Sequence, residues 1–208
     1  MAATSITIAI LAGGAASRLD GRDKGLEPLN GRPLVAWVVE AIRCMDAQTA
    51  DAAPGNVADR TVLIVANRHV DAYSHHAATI GDDEPGFLGP LAGIASALAF
   101  CATPWVVTVP VDCPQPPHDL AARLFQAAQE SAVDAVAAHD GERRQPLFAI
   151  YRRELARSAA SAVAAGQGVW SWQEAIGAFE LDFSDRRRQF YNLNTPEEFA
   201  TYADRDET

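Results

Sequence analysis

Apolar residues along this chain fall into two kinds of run. Short, nearly continuous runs at Ile6–Leu11, Thr61–Ala66 and Trp105–Val109 are rich in Val, Ile and Leu and hardly alternate. That is the pattern of strands covered on both faces, as in a parallel sheet with helices above and below. Between them lie segments whose apolar residues recur three and four apart. Leu34, Val38, Ala41, Ile42 and Met45, preceded by Pro33 as the helix opener, predict a helix over 34–45. Further helices are predicted over 91–101, about 117–131 and about 153–165, with a short one inside 166–177. Strands are expected at 78–80, 133–138, 146–151 and 179–183. Residues 46–60 are small and polar around Pro54-Gly55 and read as a surface loop. Strands alternating with helices predict an α/β fold in three layers, a mostly parallel sheet with helices on both faces, in one domain spanning 1–208. In such sheets ligands gather at the carboxyl ends of the strands.

The polar residues at those ends narrow the chemistry. The first strand breaks into a loop holding Gly13, Gly14, Gly21 and Gly25 and three cations, Arg18, Arg22 and Lys24. Glycines let backbone N–H groups approach phosphate oxygens, and cations neutralise them. The loop is neither a Walker A sequence nor Gly-x-Gly-x-x-Gly. Of the seventeen basic residues sixteen are Arg, and Lys24 is the only lysine. The second strand runs into Asn67, and Asp82 and Asp83 follow the third. The fourth ends in Pro110-Val111-Asp112-Cys113-Pro114. A strand-end carboxylate between prolines suits Mg²⁺, which takes one or two carboxylates plus substrate phosphates. The same aspartate also reads as an Asx-turn closing a loop. Near the C-terminus, Thr195, Pro196 and Glu198 read as the cap, first turn and capping box of a helix. Asn192 and Asn194 precede that cap and are free for another role.

Leu11-Ala12-Gly13-Gly14, Arg18 and Gly21-Arg22-Asp23-Lys24-Gly25-Leu26 together resemble the signature of the nucleotidyltransferases, and most closely of the molybdenum cofactor guanylyltransferases. Gly89-Pro90-Leu91-Ala92-Gly93, Pro110-Val111-Asp112-Cys113-Pro114, Asp140–Pro146 and Asn192-Leu193-Asn194-Thr195-Pro196-Glu197 follow in the order of that family. The resemblance spans about residues 6–203 and implies a Rossmann-like nucleotidyltransferase fold. The reaction it implies transfers GMP from GTP to the terminal phosphate of molybdopterin-bound molybdenum cofactor and releases pyrophosphate, with Mg²⁺ as cofactor. It implies Arg18, Lys24 and Asp112 as catalytic residues, with Asp112 on the metal. Leu11, Ala12, Gly13, Gly14, Lys24, Val65, Asn67, Asp82, Asp112, Asn192 and Asn194 are the implied substrate contacts. Asp82, or its neighbour Asp83, would accept hydrogen bonds from the guanine N–H and 2-amino group. Asn194 would support the metal or a phosphate. Val65 stands where the family often has asparagine, so one nucleotide contact is lost or comes from backbone. Val111 and Cys113 replace the usual neighbours of the metal aspartate. Arg143 and Arg144 lie in the region that faces the pterin and are candidate phosphate contacts, whereas Arg186-Arg187-Arg188 reads as a solvated turn. Expected partners are GTP, the molybdenum cofactor, and a molybdoenzyme chaperone or the upstream molybdenum insertion protein. A cytidylyl or sugar-1-phosphate nucleotidyltransferase and a non-catalytic cofactor carrier are the rival assignments. Gly13-Gly14, where the cytidylyl branch usually shows Ala-Gly, favours guanine.

Composition sets the remaining bounds. At 208 residues and 49% hydrophobic, the chain is long enough for a substantial core. A net charge of −10 argues against a nucleic-acid surface but not against a phosphorylated substrate held by local cations. No run of eighteen apolar residues indicates a membrane span. The N-terminus lacks the basic region of a signal peptide, and Cys44, Cys101 and Cys113 form no Cys-x-x-Cys pair, so a cytoplasmic setting is expected. His75, His76 and Asp71 could meet a zinc ion but read as a polar surface segment.

Overall fold

The computed structural model describes residues 5–13, 23–48, 60–81 and 89–206. Its centre is β1 (Ile6–Leu11), every residue of which is buried. In the parallel sheet β1 lies between β4 (Arg60–Val65) and β6 (Trp105–Pro110), with β5 (Ala78–Ile80) beyond β4. On the other side β8 (Arg144–Arg152) pairs antiparallel with both β6 and β7 (Ala135–His139), and β9 (Phe179–Asp182) closes the edge parallel to β7. The seven-stranded order is β5-β4-β1-β6-β8-β7-β9. The sheet is therefore mostly parallel, as expected, with β8 as the reversed strand.

Period-two alternation sends successive side chains to opposite helical layers. Ile6, Ile8 and Ile10 join the core under α1 (Leu34–Gln48) and α4 (Leu120–Glu130), where Val38, Ile42, Leu124 and Phe125 meet them. Ala9 and Leu11 face the other layer, built from α3 (Pro90–Phe100), α5 (Ala156–Ala164) and α6 (Val169–Ala175). α7 (Pro196–Asp206) packs Phe199 and Tyr202 against Leu29, Leu34 and Leu193.

A hairpin and a one-turn helix were not foreseen. β2 (Pro28–Leu29) and β3 (Arg32–Pro33) form a minimal hairpin, so Pro33 pairs with Pro28, and α1 begins at Leu34 as expected. Asn30 and Gly31 both have positive φ, 49° and 74°, as an Asn-Gly hairpin turn requires. The second is α2 (Val70–Ser74), a single turn between β4 and β5. Of the expected loop over 46–60, residues 46–48 continue α1, Arg60 begins β4, and the rest lies outside the described residues. Among the described residues no helix is long and apolar enough to cross a membrane.

Candidate active site

Strand order places the site. The chain steps from β1 out through β4 to β5, then returns to the other side of β1 as β6. This reversal is the switch point at which α/β sheets bind ligands, between β1 and β6. Leu11 pairs with both Val65 and Pro110, so Gly13, Asn67 and Asp112 emerge at one level, two residues beyond each strand.

Lys24 reaches this crevice from the loop after β1. Its Nζ donates to Asp112 Oδ2 at 2.8 Å and to Asn194 Oδ1 at 2.8 Å. Three segments far apart in sequence thus converge on one ammonium. Asn194 therefore holds Lys24 directly. The backbone supports this meeting: Val111 N–H donates to the Leu11 carbonyl at 3.1 Å, and Leu193 N–H to the Asp112 carbonyl at 2.8 Å. The capping box forms as the sequence predicts. Glu198 Oε2 accepts from the N–H groups of Asn194 and Thr195 at 2.5 and 3.0 Å, and Thr195 Oγ1 accepts from Glu198 N–H at 3.3 Å. A helix terminus therefore presents Asn194 to the lysine.

Three oxygens at this end of the sheet, Asp112 Oδ1, Asn67 Oδ1 and Asn192 Oδ1, are buried with no hydrogen-bond partner among the described residues. Buried acceptors left unmade are costly, so they mark where a ligand, ion or water completes the site. Asp112 fits a magnesium ligand on this ground. One carboxylate oxygen holds Lys24, and the other is free for a hard cation that draws its remaining ligands from phosphates and water. Gly13 lies against Asn67: a β-carbon there would stand 2.6 Å from Asn67 Oδ1. The Gly13 backbone therefore lies directly against the Asn67 side chain at the strand ends.

Other expectations change. Val65 is 1% exposed and packs in the α3 layer, and its carbonyl accepts the Ala12 N–H at 2.8 Å. Its side chain is core and cannot touch a nucleotide. Leu11 and Ala12 are also buried, so any ligand contact there comes from the chain's edge. Val111 packs toward Gly25, and burial pushes the Cys113 thiol far above its ordinary pKa, with the Asp112 charge adding to it. Both neighbours of Asp112 are thus packing residues. Arg144 is committed elsewhere: it pairs with Glu180 and stacks over Trp170, 4.5 Å from the ring centre. Arg186-Arg187-Arg188 is not simply solvated. Arg186 Nη2 pairs with Asp119 at 3.2 Å and Arg187 with Glu142 at 2.5 Å, which ties the turn after β9 to α4 and to the β7–β8 hairpin. Gly14, Arg18, Gly21, Arg22, Asp82 and Asp83 lie outside the described residues.

A cavity of about 520 Å³ opens beside the Asn192 segment, lined by Arg143, Arg187, Arg188, Phe190 and Tyr191 with Asp140 and Glu142. Its hairpin is fixed by Asp140, whose Oδ1 accepts from the Glu142 and Arg143 N–H groups at 2.8 Å each and whose Oδ2 accepts from Gln145 at 2.5 Å. Burial alone would raise the Asp140 pKa. These hydrogen bonds and the Arg143 charge override it and hold the carboxyl below its ordinary range. Phe190 and the arginines of the turn belong to this wall, although nothing in their local sequence pattern marked them.

Residues 8–180 match the family described as MobA-like NTP transferase domain, which with the fold makes the protein a nucleotidyltransferase. Two proteins named molybdenum cofactor guanylyltransferase are similar over nearly their whole length. The one from Vibrio cholerae is 39% identical over 195 residues, covering 93% of this chain and 89% of its own. The one from Vibrio atlanticus is 36% identical over 201 residues, covering 96% of each. The chain belongs to the molybdenum cofactor guanylyltransferase family. Among solved structures, molybdopterin-guanine dinucleotide biosynthesis protein A from Archaeoglobus fulgidus shares the fold with a TM-score of 0.75 at 21% identity, covering 97% of this chain and 98% of its own. The 2-C-methyl-D-erythritol 4-phosphate cytidylyltransferase of Thermus thermophilus matches with a TM-score of 0.63 at 18% identity over the full length of both.

Proposed function

We propose that the protein transfers GMP from GTP to the terminal phosphate of molybdopterin-bound molybdenum cofactor and releases pyrophosphate. The observation that carries this is the convergence of Lys24, Asp112 and Asn194 at the sheet's switch point, in a chain similar to curated guanylyltransferases. An oxygen of the acceptor phosphate bonds to the α-phosphorus of GTP. The bond from that phosphorus to the oxygen bridging it to the β-phosphate breaks, and pyrophosphate leaves with that electron pair. No covalent enzyme intermediate is needed, so positioning and charge neutralisation do the work.

Lys24 brings a compact positive charge to the triphosphate, and Asn194 and Asp112 hold that charge in place. Asp112, through the oxygen that Lys24 leaves free, is the residue that would hold Mg²⁺, which when bound neutralises phosphate charge and helps to hold the leaving group. Asn67, beyond β4, faces the nucleotide half of the crevice. The cavity lined by Arg143, Arg187 and Arg188, with Asp140 and Glu142 offsetting part of their charge, suits the anionic acceptor on the other side. The choice of guanine is assigned to Asp82 and the Gly13-Gly14 backbone on the strength of the family resemblance.

The test supplies GTP, CTP or ATP with Mg²⁺ and purified cofactor and follows pyrophosphate. GTP is expected to give the highest kcat/KM, with turnover dependent on the cofactor. A higher kcat/KM with CTP would reassign the base, and no pyrophosphate from any nucleotide would make the protein a carrier.

A further inference from the structure

Lys24 must be aimed from a glycine-rich loop, and the means of aiming it lies behind the loop, out of reach of substrate. Lys24–Leu26 forms a single 3-10 turn capped by Asp23, whose Oδ1 accepts the Gly25 N–H at 3.2 Å. The same Oδ1 accepts a second hydrogen bond, 2.5 Å long, from the hydroxyl of Tyr73 on α2. Tyr73 is completely buried. Its ring packs in the core under α1, so the hydroxyl has a fixed address.

Gly25 shows how tightly the pieces meet. A β-carbon on it would stand 2.3 Å from the Tyr73 hydroxyl and 2.9 Å from Val111 Cγ2. The turn is therefore clamped between α2 and the residue that precedes Asp112. This packing by itself calls for glycine at position 25.

We propose that Tyr73 is a positioning residue for Lys24. Through Asp23 its hydroxyl sets the rotation of the turn, and so sets where the ammonium stands relative to Asp112 and Asn194. A neutral phenol is needed as donor. Burial, followed by the hydrogen bond and charge of Asp23, pushes the Tyr73 pKa far above its ordinary value and keeps it protonated across the usable pH range. The core alone would be served as well by phenylalanine. The hydroxyl is explained by the turn it holds.

This inference rests on the proposed transfer for its turnover arm, and the lone lysine supplies an arm that does not. Isotope-labelled lysine gives a single side-chain signal by NMR, because Lys24 is the only lysine. Tyr73→Phe should move or broaden that signal. It should also lower kcat about tenfold, the scale of one hydrogen bond to a charged group, with KM for GTP little changed. Added to Lys24→Ala, it should cause no further loss, since a residue acting through the lysine has nothing left to position. Should Tyr73→Phe fold poorly, Asp23→Ala breaks the same link from the partly exposed side and carries the same expectations. An unmoved lysine signal, a wild-type kcat, or losses that multiply in the double variant would overturn the inference. If the wild-type protein turned over no nucleotide, the proposed transfer would fail instead, and the lysine signal would still decide the role of Tyr73.

Discussion

The lone lysine and the arginine turn after β9 both bring positive charge to the carboxyl end of the sheet, and they use it differently. Lys24 converges on Asp112 and Asn194, partners 88 and 170 residues away in sequence, and stands over a crevice with unmet oxygens. Arg186 and Arg187 spread their charge over Asp119, Asp185 and Glu142 and fasten the turn to its surroundings. Nearby, Arg123 does the same from α4, bonding Asp185 at 3.0 Å and the Asp182 carbonyl at 2.6 Å. A guanidinium is a planar fork suited to several acceptors at once, and an ammonium is a point charge on a flexible stem. Where this protein needs a tether it uses arginine. In the crevice it uses its one lysine.

Removing the carboxylate that Lys24 meets should have the largest effect. Asp112→Asn keeps the shape but loses the charge that holds Lys24 and that would hold Mg²⁺. We expect turnover to fall by about 10³-fold, in line with several kcal/mol of charge stabilisation, with the circular dichroism unchanged. Wild-type rates at limiting Mg²⁺ would remove Asp112 from the site. Next is Lys24→Arg, which conserves charge and changes only its form. A loss on the order of 10²-fold is expected, the scale of deleting one transition-state donor. Lys24→Ala should be at least as poor.

The reciprocal exchange should cost little. Arg186→Lys keeps an ion pair to Asp119 while giving up the fork, and partly exposed pairs of this kind contribute only about 1 kcal/mol or less. Turnover should stay within about twofold and the melting temperature should drop slightly. A severe loss of activity would mean that the turn takes part in the chemistry. The smallest effect concerns the hairpin on which Arg187 leans. Because the Asp140 carboxyl is held below its ordinary range, it stabilises the fold above the unfolded value of about 3.9 and loses that contribution as pH falls through the lower folded value. Asp140→Asn should therefore melt below wild type at neutral pH, with the two curves converging in acid. A gap independent of pH would refute the sign.

Much of this was legible in the chain. Continuous apolar runs gave away β1, β4 and β6, because strands covered on both faces have no polar side to show. The carboxylate after β6 could be located for the same reason: it follows the point where the apolar run stops. The capping box at Thr195 and Glu198 is a local signal and formed as written. What stayed hidden depends on pairing between distant segments. The reversed direction of β8 leaves no mark on its own residues. The arginine turn looked solvated because Asp119 and Glu142, which hold it, are dozens of residues away. Tyr73 sits on one helical turn and shows itself only through Asp23, fifty residues earlier. The Asn30-Gly31 pair did carry a local hairpin signal, and its flanking strands were simply too short to register.

The central claim is that the nucleotidyl group itself moves onto the terminal phosphate of the cofactor. GTP labelled at the α-phosphorus follows that group directly. Incubated with Mg²⁺, molybdenum cofactor and the wild-type protein, the label should leave GTP and appear in the guanine dinucleotide form of the cofactor, while a γ-label should appear in pyrophosphate. With Asp112→Asn both labels should stay in GTP over the same period. An α-label found as free GMP, or retained in GTP while cofactor remains bound to the wild-type protein, would contradict the account.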